Sequence, residues 1–242
     1  MKTLILIPAR MASVRFPNKP MALIQGKPMI QRVWELAIAS QLGDVIVACS
    51  EKIVFKCITS LGGTAILTDP NLPTGTDRIF AAIEKIHNVS QLDSIINLQG
   101  DMPIIDPQDI AKVNVPLLQG FDIGTLVTEL KENQVADTNV TKAKISWIRK
   151  NTIGKALDFY KSSINNNENV YHHVGIYSFR YETLKRFVSL PPSVNEIERK
   201  LEQWRALDAK MTIGVSYVQD VPISIDTKED LTHIENIIKN KL

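Results

Sequence analysis

The chain has 242 residues, of which 44% are hydrophobic and 22% are charged, and its formal net charge at pH 7 is +2. This length and apolar content suit one large α/β domain, or a domain with a substantial insertion, and exclude a disordered chain. The small net charge is not that of a general nucleic-acid-binding protein, so we expect no nucleic-acid partner and judge the basic residues by where they cluster.

The N-terminal apolar run at residues 4–7 is too short for the hydrophobic region of a secretory signal, and no later stretch reaches the length of a membrane span. The two cysteines, Cys49 and Cys57, provide neither a disulfide framework nor a structural zinc site. We therefore expect a cytoplasmic protein with no membrane partner.

The first half of the chain alternates strand patterns with helical patterns. Strands are predicted at 3–7, 44–48, 64–67 and 94–98, and helices at about 28–41, 51–61 and 76–87. This alternation is typical of a parallel sheet covered by helices. Ligands bind beyond the carboxyl ends of the strands in such sheets, so the loop after the first strand lies where a substrate is expected.

From about residue 122 the pattern changes to strand-like pieces joined by polar connections, which predicts a more antiparallel insertion or subdomain. These pieces lie at 123–127, 142–148, 155–159 and 175–179. One helical stretch is then predicted at 195–209, a strand at 211–218 and a last amphipathic helix from about 228.

The loop after the first strand, IPARMASVRFPNKP at 7–20, carries Arg10, Arg15 and Lys19, one hydroxyl and no acid. Guanidinium and ammonium groups on a loop restrained by two prolines suit a polyphosphate, because charge-assisted hydrogen bonds need donors that are fixed in space. The loop has neither the Walker nor the dinucleotide glycine spacing. Considered alone, it also fits a solvated basic turn.

Three further segments favour the polyphosphate. Asp101 follows the strand at 94–98 and is placed to hold a divalent cation against phosphate oxygens, although a Gly-Asp pair there also fits a simple turn. TGTDR at 74–78 puts hydroxyls, a glycine and an arginine at a predicted helix start, where its threonines can instead be N-caps. Asp226 in SIDTKEDL is a second acid or the N-cap of the last helix. Together the segments predict a metal-dependent site for a nucleoside triphosphate.

Seven segments, in this order and at these separations, resemble the 3-deoxy-manno-octulosonate (Kdo) cytidylyltransferases, also called CMP-Kdo synthetases. They are IPARMASVRFPNKP, GKPMI, TGTDR, NLQGDMP, HVGIY, LEQWRAL and IDTKEDL. The resemblance runs from near Thr3 to the last helix. It implies a single nucleotidyltransferase-type, Rossmann-like domain at 1–242, with a mainly parallel sheet, helices on both faces and a smaller antiparallel insertion. Its nucleotide-binding part is expected at about 1–120 and 208–242, and its sugar-binding and dimerisation part at about 121–207.

The resemblance also implies an activity, which is the magnesium-dependent transfer of CMP from CTP to the anomeric hydroxyl of Kdo. The products, CMP-Kdo and pyrophosphate, would be made in the cytoplasm by a homodimer, for lipopolysaccharide synthesis. The residues that would be catalytic are Arg10, Lys19, Asp101 and Asp226, and the two aspartates would hold Mg²⁺. Those that would bind the nucleotide are Pro8, Ala9, Arg10, Ser13, Arg15, Lys19, Thr74, Gly75, Thr76, Arg78 and Gln99. Those that would bind the sugar are Lys142, Lys161, His173, Tyr177, Glu202 and Gln203.

The chain departs from the family's pattern near several of these residues. Met102 replaces the acid of GDEP, and Lys161 replaces the arginine of YFSR, which is not equivalent for bidentate carboxylate binding. Ser224 replaces the glycine before the VDTPEDL segment. The sugar half therefore matches the family less well than the nucleotide half. A cytidylyltransferase for another acidic sugar, of the 8-amino-Kdo or sialate type, and a catalytically inactive nucleotide-binding homologue are the alternatives.

Overall fold

The structure, a computed structural model, describes residues 1–12, 15–162, 168–220 and 223–241. The chain forms two compact units, the first comprising Met1–Ile110 with Pro222–Leu242 and the second Ala111–Val221. Both units contain strands and helices, so the predicted α/β class is confirmed. No helix within the described ranges is long and apolar enough to cross a bilayer.

Within its described residues, the first unit carries parallel strands in the order β5, β4, β1, β6. Ile5, Leu6 and Ile7 of the central strand β1 are fully buried, as expected for a parallel strand covered on both faces. The strands are β1 (Thr3–Ala9), β4 (Gly43–Cys49), β5 (Thr64–Leu67) and β6 (Ser94–Asn97), with a short hairpin of β2 (Leu23–Ile24) and β3 (Lys27–Pro28). The helices are α1 (Met29–Ala39), α2 (Lys52–Ser60), α3 (Gly75–Ile83), α4 (Pro107–Lys112), which extends into the second unit, and α9 (Lys228–Lys241).

The second unit carries strands in the order β10, β7, β11, β9, β8, and β8 also pairs with β10. Only β7 and β11 are parallel neighbours among the described pairings of this unit. The strands are β7 (Ile123–Thr128), β8 (Lys142–Arg149), β9 (Ile153–Tyr160), β10 (Val170–Phe179) and β11 (Ile213–Tyr217). The helices are α5 (Val115–Leu118), α6 (Tyr181–Ser189), α7 (Val194–Arg199) and α8 (Gln203–Asp208).

The single helix predicted at 195–209 is wrong, because α7 and α8 are separate helices. Lys200 adopts a left-handed conformation with φ of 54°, and this ends α7. The helical spacing of apolar residues continues across the break, and Leu201 just beyond it is buried. The Leu201 N–H donates to the Glu196 carbonyl oxygen at 3.3 Å. A buried ion pair between Arg205 and Glu196, at 2.6 Å, then joins the two short helices.

Candidate active site

A cavity of about 520 Å³ opens in the first unit, beyond the carboxyl ends of β1 and β6. Its lining includes Asp101, Asp226 and most of the nucleotide-binding residues that the resemblance implied. Thr76 is buried and does not line the cavity, and Ser13 lies outside the described residues. The implied residues in the lining are Pro8, Ala9, Arg10, Arg15, Lys19, Thr74, Gly75, Arg78 and Gln99.

The basic loop is anchored at several points. The Asn18 N–H donates to the Met11 carbonyl oxygen at 3.0 Å, and the Met11 N–H donates to Glu51 Oε2 at 3.1 Å. Phe16 is buried in an apolar cluster that includes Ile24 and Ile225. These contacts hold the described parts of the loop in place while Arg10 and Arg15 stay exposed to solvent.

Opposite charges converge at one end of the cavity. Lys19 Nζ lies 2.7 Å from Asp101 Oδ2 and 3.2 Å from Asp226 Oδ1, and Arg15 Nη2 lies 3.0 Å from Asp226 Oδ2. Burial alone would lower the pKa of the Lys19 ammonium, but the two carboxylates outweigh it and raise that pKa above its ordinary value. Lys19 is therefore a charged group held between two acids.

The two aspartates come together through the main chain as well. The Ile225 N–H donates to the Asp101 carbonyl oxygen at 2.9 Å, and the Ile225 side chain is fully buried. Thr227, rather than Asp226, acts as the cap of α9, because its Oγ1 accepts from the Asp230 N–H at 3.2 Å. The N-cap alternative for Asp226 is thus wrong, and its carboxylate faces the cavity.

The donor set supplies two carboxylate ligands for a magnesium ion, and substrate phosphate can supply further ligands. No cluster of three or more Asp, Glu, His or Cys side chains suited to a metal occurs among the described residues. Asp101 and Asp226, however, both bind the same nitrogen atom, so their oxygens converge. Mg²⁺ is typically held by one or two carboxylates together with substrate phosphates. Met102 offers no ligand for Mg²⁺, because a thioether sulfur is a soft donor and Mg²⁺ prefers oxygen.

The TGTDR segment has a structural role in addition to its place in the lining. Thr74 caps α3, because its Oγ1 accepts from the Asp77 N–H at 3.1 Å and the Asp77 carboxylate accepts from the Thr74 N–H at 3.2 Å. Arg78 is buried and donates to Thr68 Oγ1 at 2.7 Å and to the Asp69 carbonyl oxygen at 3.0 Å. The Arg78 guanidinium therefore fixes the loop beside the cavity.

The residues implied to bind a sugar lie in the second unit. His173 on β10 is buried, and its Nε2 lies 3.0 Å from Thr125 Oγ1 on β7. The Thr125 hydroxyl donates to the Ile176 carbonyl oxygen at 2.8 Å, so His173 Nε2 is the donor to Thr125. Burial, with a smaller contribution from His172, lowers the pKa of His173 to about 3 and keeps the ring neutral at pH 7.

Tyr177 and Gln203 form a second polar group in this unit. Gln203 Nε2 donates to Tyr177 Oη, and the Gln203 Oε1 atom is buried with no hydrogen-bond partner among the described residues. Burial first, and then the nearby Glu202 charge, raise the pKa of Tyr177, so its hydroxyl stays protonated. The pair presents a fixed hydroxyl and an unused acceptor.

The Lys142 ammonium is buried and donates to the main-chain oxygens of Asp137 and Lys161. Lys161 itself is exposed, directly after β9.

His172 was absent from the sequence prediction because HVGIY begins one residue later. Burial and the Lys142 charge lower the pKa of His172 to about 4. The pair of adjacent histidines on one strand was the feature of the sequence that could have drawn attention to His172.

Comparison with known proteins gives consistent matches in sequence. A family model described as Cytidylyltransferase matches residues 4–213. A protein of Paramagnetospirillum magneticum named 3-deoxy-manno-octulosonate cytidylyltransferase is 43% identical over 239 residues, which is 98% of this chain and 97% of that protein. A protein of the same name from Rhodospirillum rubrum is 41% identical over 232 residues, 94% of this chain and 92% of that protein.

Solved structures match as well. The structure of CMP:2-keto-3-deoxy-manno-octonic acid synthetase complexed with CTP matches with a TM-score of 0.89 and 31% identity, covering 100% of both chains. A UDP-glucose pyrophosphorylase complexed with UDP-glucose, with a TM-score of 0.68 and 14% identity over 100% of both chains, shares the fold alone. These matches confirm a mixed α/β nucleotidyltransferase-like fold.

Proposed function

The chain belongs to the cytidylyltransferase family and, within it, to the 3-deoxy-manno-octulosonate cytidylyltransferases, and on that premise we propose that it transfers CMP from CTP to Kdo. The products are CMP-Kdo and pyrophosphate, and the chain is a nucleotidyltransferase. The observation that carries the proposal is the convergence of Lys19, Asp101 and Asp226 in a cavity that Arg10 and Arg15 also line.

Transfer requires the anomeric hydroxyl oxygen of Kdo to attack the α-phosphorus of CTP. As the new bond forms, the hydroxyl proton is released to water. The bond between that phosphorus and the oxygen bridging to the β-phosphorus breaks, and the pyrophosphate leaves with its electron pair and so with negative charge. Arg10, Arg15 and Lys19 are the cations that orient the triphosphate and neutralise this charge. The described parts of their loop are anchored by hydrogen bonds within the chain, so little reorganisation of the loop is needed at that step.

We propose Mg²⁺ as the cofactor, held by Asp101 and Asp226 together with phosphate oxygens. Bound there, it supplies charge neutralisation and increases the acidity of the attacking hydroxyl. The support is that the two carboxylates already share one cation, the Lys19 ammonium. With a metal bound, Lys19 would give up at least one of these carboxylates, and the triphosphate would be a new partner for its ammonium.

For the sugar, we propose the polar residues of the second unit. The unpartnered Gln203 Oε1 suits a sugar hydroxyl as a donor, and the Tyr177 hydroxyl is held in place by Gln203. The exposed Lys161 ammonium suits the carboxylate of Kdo. Lys142 and His173 are hydrogen-bonded to other residues of the chain, and they hold in place the strands and loops that carry the proposed sugar-binding residues.

We further propose that the two units form one cytidylyltransferase domain, with a mainly parallel nucleotide-binding sheet and an antiparallel sugar-binding insertion. The family match supports this, since it spans residues of both units. We also propose a homodimer, and the apolar side chains of Val194 and Ile197 on α7, 70% and 64% exposed, support it. The cytoplasm is the proposed site of action because CTP is available there. Sedimentation of a Val194→Glu, Ile197→Glu double variant as a monomer, against a dimeric parent, tests the interface.

The proposed reaction is tested by its product. The chain is incubated with CTP labelled at the α-phosphate, Mg²⁺ and Kdo, and the nucleotides are separated. The label is expected in CMP-Kdo. Label that stays in CTP, or that appears only in free CMP, contradicts the proposal.

A further inference from the structure

A chain of three polar side chains lies beside the nucleotide cavity. Asn97, the last residue of β6, is fully buried, and its Nδ2 donates to Thr76 Oγ1 at 3.3 Å. Its Oδ1 accepts from Gln99 Nε2 at 2.9 Å. A buried amide that lost either partner would carry the full cost of desolvation. Asn97 therefore holds the Gln99 amide nitrogen toward itself, and the Gln99 carbonyl oxygen faces away from it.

The Gln99 acceptor lies at an uncharged wall of the cavity. The position that a Cβ atom would take on Gly75 lies 3.5 Å from Gln99 Oε1 and 3.2 Å from Pro8 Cγ. Pro8, Gly75 and Gln99 all line the cavity. The wall thus consists of the Pro8 ring, the Gly75 backbone and the Gln99 carbonyl oxygen. The direction of that oxygen is fixed because the nitrogen of the same amide is hydrogen-bonded to Asn97.

The charges of the cavity decide which part of the nucleotide meets this wall. The triphosphate is drawn to Lys19 and the arginines of the basic loop, and Asp101 and Asp226 suit its metal. The base is left for the uncharged wall, where it meets an acceptor. Cytosine carries an amino group, which is a donor, at the position where uracil carries an oxygen, which is an acceptor.

From this juxtaposition, and resting on the proposed function, we infer that Asn97 is a positioning residue that makes the site select cytosine over uracil through Gln99. Asn97 touches no substrate. It holds the Gln99 carbonyl oxygen toward the amino group of cytosine and prevents the amide from turning. A uracil base would place its oxygen against the Gln99 oxygen, and neither atom has a proton to share.

The decisive variant is Asn97→Leu, which removes both hydrogen bonds. The Gln99 amide is then free to turn, because the terminal torsion of glutamine is soft, and its N–H can serve uracil. We expect the ratio of the dissociation constants for UTP and CTP to fall by about 10- to 100-fold, the range for one mispaired polar contact. Asn97→Asp is the matched control, because its carboxylate still accepts from Gln99 Nε2, and it should keep the ratio.

The measurement is calorimetric titration of the full chain and its variants with CTP and with UTP, each in the presence of Mg²⁺. Thr76→Val, which removes only the outer partner of Asn97, should lower the ratio by less than Asn97→Leu does. The Thr76→Val variant also tests the inference if Asn97→Leu fails to fold.

A fall in the ratio that Asn97→Asp does not share supports the inference. An unchanged ratio in Asn97→Leu and Thr76→Val overturns it, as does equal weakening of both nucleotides in these variants. A parent chain that binds neither nucleotide contradicts the proposed function and this inference with it. A parent that prefers CTP, with variants that keep the preference, contradicts this inference alone.

Discussion

Replacing Lys19 by methionine should make the free protein bind a divalent cation more tightly. The Lys19 ammonium lies 2.7 Å from Asp101 and 3.2 Å from Asp226, so it occupies the two carboxylates that the proposed metal would use. Methionine keeps most of the length of the side chain and removes the charge. The two acids are then left without the cation between them, so we also expect the variant to unfold at a lower temperature than the parent.

The size of the effect follows from the contacts. A hydrogen bond to a charged group contributes about 1.5–3 kcal/mol net. The carboxylate of Asp226 is 36% exposed and that of Asp101 is 23% exposed, so water screens both contacts in part. Removing the competition should therefore lower the dissociation constant of the metal by about 10- to 100-fold.

The assay is titration with Mn²⁺ in the absence of nucleotide, followed by electron paramagnetic resonance of the free ion. Lys27→Met is the matched control, because Lys27 forms an exposed ion pair with Glu35 at 2.9 Å and does not line the cavity. The affinity of Lys27→Met for Mn²⁺ should equal that of the parent. Equal or weaker Mn²⁺ binding by folded Lys19→Met would refute the placement of the metal between Asp101 and Asp226.

Three other changes test separate parts of the account. Asp101→Asn should fold and lose turnover by about 100-fold or more, since it removes charge from the proposed metal site; near-normal turnover of the folded variant contradicts that role. Lys161→Ala should raise the KM for Kdo by about tenfold and leave the KM for CTP unchanged, whereas equal rises remove Lys161 from the sugar site. Burial holds the pKa of His173 at about 3, below the value of about 6.5 in the unfolded chain, so the unfolded state binds the extra proton. Stability is then complete above about pH 6.5 and falls toward pH 5 by about 1.4 kcal/mol per pH unit for this residue. Urea unfolding of His173→Gln should show a shallower pH dependence, and an identical dependence excludes the histidine as its cause.

Most of the first unit was predictable because its parallel strands are buried on both faces and appear as continuous apolar runs, as in Ile5, Leu6 and Ile7. The sequence also placed the basic loop and Asp101 beyond the carboxyl ends of β1 and β6, and the cavity opens there. The break at Lys200 was not predictable, because the apolar spacing continues across it and a left-handed lysine leaves no compositional signal.

The candidate site was predictable in its residue types more than in its contacts. Arg10, Arg15 and Lys19 are close in sequence, so their shared loop was evident. The meeting of Asp226 with Asp101 depends on a main-chain hydrogen bond and on burial of Ile225, which are tertiary contacts. The sequence gives no sign of the role inferred for Asn97, since a buried asparagine at a strand end becomes informative only when its partners, Thr76 and Gln99, are seen.

The most direct test of the proposed function is pyrophosphate release with CTP and Mg²⁺, measured in parallel with Kdo, with 8-amino-Kdo, with a sialate and with no sugar. Release that depends on Kdo is the predicted result, and it would establish the cavity of the basic loop as a triphosphate site of a Kdo cytidylyltransferase. Release only with another acidic sugar would contradict the assigned acceptor, and no release with any sugar would contradict the assigned reaction.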